Sequence, residues 1–134
     1  MDRAAMLDTI EQAYAARIKG DVATMAQHFH PEARFEIVGE KDLLERFPAG
    51  PGNATKVISS LIDLVTFHEM ERLETVVEGN RVALLWRIHL SIGGLDPFDT
   101  PVFDLWEFAP DGRAVALRQS IDTARFAVDM AQLV

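Results

Sequence analysis

The chain has no cysteine in its 134 residues, which removes disulfides, thiol nucleophiles and cysteine-based zinc sites at a stroke. It also has no apolar run near the roughly 20 residues that a membrane-spanning helix needs. The start, "MDRAAMLDTIEQ", is amphipathic rather than signal-like. Basic residues are outnumbered, 13 Lys and Arg against 21 Asp and Glu, for a net charge of −8. Nucleic acid and anionic membrane both call for basic patches, so neither is an expected partner. No internal repeat or low-complexity tract is present. What is there is ordinary for a globular protein: 49% hydrophobic and 25% charged residues, enough for one domain over 1–134 and too few for two. The cytoplasm is the default compartment for such a chain, and no cofactor is called for.

Periodicity divides the chain into helices first and strands after. "MLDTIEQAYAARI" places Leu7, Ile10, Tyr14 and Ile18 at helical spacing with Ala13 beside them, and "GD" at 20–21 breaks that helix. Asp21 suits the cap of a second helix, "VATMAQHF", with Val22, Met25 and Phe29 inward. "RFEIV" alternates as a short strand with Phe35 and Ile37 on one face. Residues 39–53 hold two Pro-Gly punctuations and predict a mobile loop near a pocket mouth, with a helical turn at "DLLERF". Asn53 then fits the cap of a third helix, "ATKVISSLIDLV". "NAT" at 53–55 also fits a glycosylation pattern, but with no signal peptide beside it the cap is the better reading. Strand patterns follow over "FHEMERLETVV", "RVALLWRIHLSI", "DTPVFDLWEFA" and "RAVALRQSI". A last helix, "DTARFAVDMAQLV", has Phe126, Met130 and Leu133 inward. This order is an α+β pattern.

Side-chain alternation sorts the strands into faces. Val82, Leu84, Trp86, Ile88, Leu90 and Ile92 share one face, and Val102, Asp104, Trp106 and Phe108 share another. Asp104 is the one residue out of character. A carboxylate among apolar neighbours must be paired, hydrated or protonated. It can serve chemistry, a structural hydrogen bond to Tyr14 or the backbone, or a pocket acid. No Lys or Arg shares its face, so desolvation is expected to raise its pKa. Trp86, Trp106, Tyr14 and Gln119 would be the other polar tips in an apolar cavity. Phe35, Ile37, Phe108, Leu117 and Ile121 complete the expected lining. His28 and His30 in "HFH" lack the pattern of a third ligand, so no metal site is expected. On the opposite face Phe103 and Leu105, beside Leu85 and Ala83, form an apolar patch, for which a homodimer is the expected cover.

The stretches "YAARIKGDVATMAQHF" and "FDLWEF-PDG-RAVALRQSID" resemble the SnoaL-like branch of the nuclear transport factor 2-like superfamily, over nearly the whole chain. The resemblance implies a strongly bent antiparallel sheet wrapped around helices into a cone with an apolar pocket. The superfamily includes ketosteroid isomerases, polyketide cyclases, epoxide hydrolases and dehydratases, as well as binding and transport proteins, so fold constrains function weakly. Asp104 matches the isomerases' oxyanion-hole aspartic acid, a carboxylic acid kept neutral by apolar surroundings. Counting from the "GD" break, their partner tyrosine falls on Ala13, with Tyr14 about 100° further round the helix. Their general base falls on Ile37, which cannot transfer a proton. The Arg-x-Asp pair of limonene-type hydrolases would need arginine where Val102 stands. The nearest candidate for a cyclase acid, Asp122, falls on the face opposite to Leu117. Three readings follow: an isomerase, cyclase or lyase acting through Asp104 on a carbonyl or enol; a non-catalytic binding or regulatory module for a small apolar molecule; and a purely structural dimerisation domain.

Overall fold

The computed structural model describes residues 1–39, 47 and 50–133. Helix α1 (Arg3–Lys19) starts where the Asp2 side chain accepts the Ala5 N–H at 2.8 Å. It stops at Gly20, whose φ of 73° lets its N–H turn back to the carbonyls of Ala16 and Arg17. Asp21 caps α2 (Val22–Ala26) as expected, accepting from Thr24 N–H at 3.1 Å. That helix is shorter than the sequence suggests. Phe29 instead opens strand β1 (Phe29–Val38), still buried, because the chain turns before a second helical turn is complete.

Helix α3 (Ala54–Leu64) runs directly into β2 (Val65–Glu78), which is followed by β3 (Arg81–Ile92), β4 (Phe98–Phe108), β5 (Ala114–Ser120) and α4 (Thr123–Ala131). The sheet order is β1-β5-β4-β3-β2. Four of these strands form the expected antiparallel meander. The edge pair β1–β5 is parallel, a pairing the meander pattern does not announce. Parallel neighbours need a long crossover, and here α3 with three strands supplies it. Bulges at Phe67/Glu69 and Arg72/Glu74 in β2, and between Ala114 and Ala116 in β5 opposite Glu107/Phe108, bend the strands.

One continuous core lies between the inner sheet face and the helices. Every even residue of β3 from Val82 to Ile92 is buried, as are Val102, Asp104, Trp106 and Phe108 of β4. Three expectations need correction. The buried face of α1 runs through Met6, Ile10, Ala13, Tyr14 and Arg17, while Ile18 is 42% exposed. Asn53 stands at the start of α3 but makes no side-chain cap. Its amide takes the backbone of Phe35 instead, accepting from the N–H and donating to the carbonyl, both at 2.9 Å. Leu133 follows the end of α4 and is 41% exposed, whereas Phe126 and Met130 are buried. The predicted turn at "DLLERF", apart from Phe47, and most of the predicted mobile loop lie outside the described residues. No helix among the described residues is long and apolar enough to cross a membrane.

Candidate functional site

Four side chains from four elements, α1, β3, β4 and β5, converge on Asp104. It is 2% exposed and sits on β4 directly opposite Gln119 of β5 and Leu84 of β3. Its Oδ2 accepts from the Tyr14 hydroxyl of α1, from Trp86 Nε1 at 3.0 Å and from Trp106 Nε1 at 3.2 Å. Its Oδ1 accepts from Gln119 Nε2 at 3.1 Å, and the same nitrogen also donates to the Tyr14 oxygen at 3.2 Å. Alternation places both tryptophans: Trp86 and Trp106 lie on the inner face, one on the neighbouring strand and one two residues along. Tyr14 arrives edge-on, its ring 5.1 Å from Trp86 and 5.9 Å from Trp106. The acid in the apolar strand is thus the acceptor that satisfies two buried indoles, a phenol and an amide.

The electrostatics of the cluster pull in two directions. Burial raises the Asp104 pKa, and the hydrogen bonds from Tyr14, Gln119, Trp106 and Trp86 lower it. Desolvation is the larger influence, and the pKa lies above its ordinary value. Tyr14 is held well above its ordinary value, first by burial and then by the charge and hydrogen bond of Asp104, so it stays a protonated donor.

A cavity of about 20 Å³ lies beside this cluster, room for the centre of roughly one water molecule. Of the expected lining residues, Tyr14, Phe35, Gln119 and Ile121 face it. Asp104, Trp86, Trp106, Phe108 and Leu117 are not on its wall, and all are buried in the core. Ile37 is half-buried and paired with Gln119 across β1–β5, but it is not among the lining residues either. The remaining wall comes from Met25, Ile58, Leu61, Val65, Phe67, Leu90, Val102 and Phe126, with one charged residue, Arg17. Pattern reading missed Arg17 because a charge on an amphipathic helix is ordinarily assigned to its solvated face. The signal was its spacing, three residues after Tyr14 and seven after Ile10.

No Asp, Glu, His or Lys is among the described lining residues. The two histidines of "HFH" belong to no metal-binding cluster among the described residues, which contain no group of three or more His, Cys, Asp or Glu able to hold an ion. Asp122 caps α4, accepting from Arg125 N–H at 3.1 Å.

The pattern of the SnoaL-like domain matches residues 10–117. No curated protein sequence matches the chain significantly. Solved structures superpose over nearly the full length at low identity. A proposed isomerase from Rhodopseudomonas palustris has a TM-score of 0.77 at 19% identity, covering 98% of this chain and 99% of its own. A proposed SnoaL-like polyketide cyclase from Jannaschia sp. CCS1 has a TM-score of 0.72 at 17% identity, covering 96% of each chain. An epoxide hydrolase of the LEH-like type from M. tuberculosis has a TM-score of 0.71 at 20% identity, covering 97% of this chain and 92% of its own. Likeness at these identities establishes a shared fold and no shared activity.

Proposed function

The chain belongs to the SnoaL-like domain family and has the nuclear transport factor 2-like fold, and from that footing we propose that it binds a small, mostly apolar molecule in the cavity beside Tyr14. The observation that carries the reading is the arrangement of the polar groups. Tyr14, Gln119 and Arg17 are the polar tips on a wall that is otherwise apolar, and Asp104 behind the first two fixes both in orientation. Apolar pockets with a few convergent polar groups are the usual form of small-molecule sites. At about 20 Å³ the cavity must widen to admit a ligand. The wall includes Met25, an unbranched thioether that changes rotamer at little cost.

Asp104 supports binding better than proton transfer. Four donors occupy its oxygens, so in its ionised form it has no proton to give and little acceptor capacity to spare. The second reading, an isomerase, cyclase or lyase, is favoured by its raised pKa and its contact with Tyr14. The pair could hold one proton near the cavity. Against it, the position of the general base is Ile37, and the described wall has no carboxylate or imidazole. One experiment separates the two readings. The protein is incubated in D2O with small aromatic and terpenoid ketones while the Trp86 and Trp106 indole N–H signals are followed. Indole shifts without deuterium entering the ketone's α-position support binding alone. Shifts with deuteration support the enzyme, and no shift with any ketone overturns both readings.

In the same reading two copies pair through the outer sheet face. Phe103 is 55% and Val76 65% exposed, and half-buried Leu85 and Leu105 lie beside them across β3–β4. An apolar patch left open on a monomer is unusual, and a two-fold interface would cover it on both copies.

A further inference from the structure

Arg17 is a buried cation to which the described residues supply no anion. It is 5% exposed and lines the same cavity as Tyr14. It takes part in none of the ion pairs among the described residues. Its Nη2 donates to the carbonyls of Leu61 at 3.1 Å and Val65 at 2.5 Å, at the C-terminal end of α3. Its guanidinium carbon lies 4.0 Å from the centre of the Phe67 ring. The helix end offers about half a negative charge, and the ring face a weaker attraction. Neither replaces a counter-ion, and a buried charge without one is costly. Burial lowers the Arg17 pKa only to about 10, so it is charged at neutral pH.

Both N–H bonds of Gln119 and the O–H of Tyr14 are spent inside the Asp104 cluster. Among the described residues Arg17 keeps its Nε and Nη1 hydrogens, since its bonds to acceptors there all come from Nη2. Those nitrogens are not sealed within the protein. Among the described residues the only fully enclosed side-chain polar atom without a partner is Asp129 Oδ2. Arg17 therefore supplies the unspent side-chain donors on the described cavity wall, and they carry positive charge.

The geometry points to an anion site: the molecule this cavity takes bears a planar oxyanion, a carboxylate or enolate, on an apolar body, and docks that group against Arg17. This rests on the reading that the cavity binds a small apolar molecule. Nη2 belongs to both forks of the guanidinium and is already engaged, so the anion is held by single N–H contacts and charge rather than by a paired fork.

The test titrates the protein with benzoate and with benzamide, which share a ring and differ in charge. The readouts are the Trp86 and Trp106 indole N–H signals and the Arg17 Nε–H signal. Benzoate should bind about tenfold more tightly, as a charge-assisted contact implies, and should shift the Arg17 Nε–H signal where benzamide does not. Arg17→Met, which keeps the aliphatic stem, should bring the two affinities together, and Arg17→Lys should restore part of the difference. Equal affinities in the unaltered protein, with indole shifts, overturn the anion site and leave the apolar reading standing. Failure of both compounds to bind overturns both readings. A benzoate preference that survives in Arg17→Met overturns the role of Arg17. Should Arg17→Met not fold, the unaltered protein and its Arg17 Nε–H signal decide the matter alone.

Discussion

Removing the Asp104 carboxylate and replacing it with an isosteric amide should give very different results, and the difference can be worked from its four hydrogen bonds. Asp104→Ala leaves the Tyr14 hydroxyl, both indole N–H groups and one Gln119 N–H without their acceptor. A buried donor left unsatisfied costs about 1–3 kcal/mol. Gln119 retains the Tyr14 oxygen, and loss of a desolvated acid returns part of the cost. A net destabilisation of about 3–5 kcal/mol is expected, a large share of the roughly 5–15 kcal/mol that holds a domain together. Asp104→Asn keeps one oxygen for Tyr14 and both indoles. Its amide faces the Gln119 amide, which must turn over to accept, so the cost is about one hydrogen bond, roughly 1 kcal/mol or less. The pH dependence then has a definite sign. The folded pKa is raised, so ionising Asp104 costs stability as pH climbs from the unfolded value of roughly 3.9 through the folded one. Below that window the acid carries no such penalty, and asparagine never does. Urea unfolding followed by far-UV circular dichroism at several pH values between 4 and 8 should show Asp104→Asn gaining on the unaltered protein as pH rises. The reasoning is refuted if the gap closes in the opposite direction, or if Asp104→Ala costs no more than Asp104→Asn.

Three further outcomes are expected. Tyr14→Phe removes a donor to Asp104 and an acceptor for Gln119, so urea unfolding should show a loss of about 1–2 kcal/mol. Losing that donor should also push the Asp104 pKa further up, as a carboxyl titration would read. Asn53→Ala strips two backbone partners from Phe35 and should cost about 2 kcal/mol by the same measurement, well beyond the loss of an ordinary helix cap. Leu105→Glu puts a charge into the outer apolar face. Light scattering at micromolar concentration should find a dimer mass for the unaltered protein and a monomer mass for the variant, and a monomer mass for both would remove the pairing.

The strands were legible because β3 and β4 alternate without interruption, and alternation alone decided which residues of each point inward. Asp104 stood out for the same reason: one charged residue on an apolar face has to be accounted for. The parallel β1–β5 pair was not legible, since register between segments some 80 residues apart leaves no local trace. Asn53 was legible as a helix start and not as the tie that holds Phe35, because both roles use the same residue type at the same place. Arg17 and Ile18 exchanged places for a related reason. Hydrophobic periodicity assumes that apolar residues define the buried face, and here a guanidinium takes the inward position while isoleucine faces solvent. The tertiary contacts with Leu61 and Val65 that make this tolerable come from another element and cannot be seen in α1.

The most direct test of the Asp104 cluster is a carbon-13 NMR titration of the Asp104 carboxyl carbon. Burial among Trp86, Trp106 and Tyr14 predicts a midpoint above the ordinary aspartate value of roughly 3.9, even against four hydrogen bonds that favour the charged form. A midpoint at or below that value would mean that the hydrogen bonds outweigh desolvation, and would contradict the account of Asp104 as the raised-pKa acid at the centre of the site.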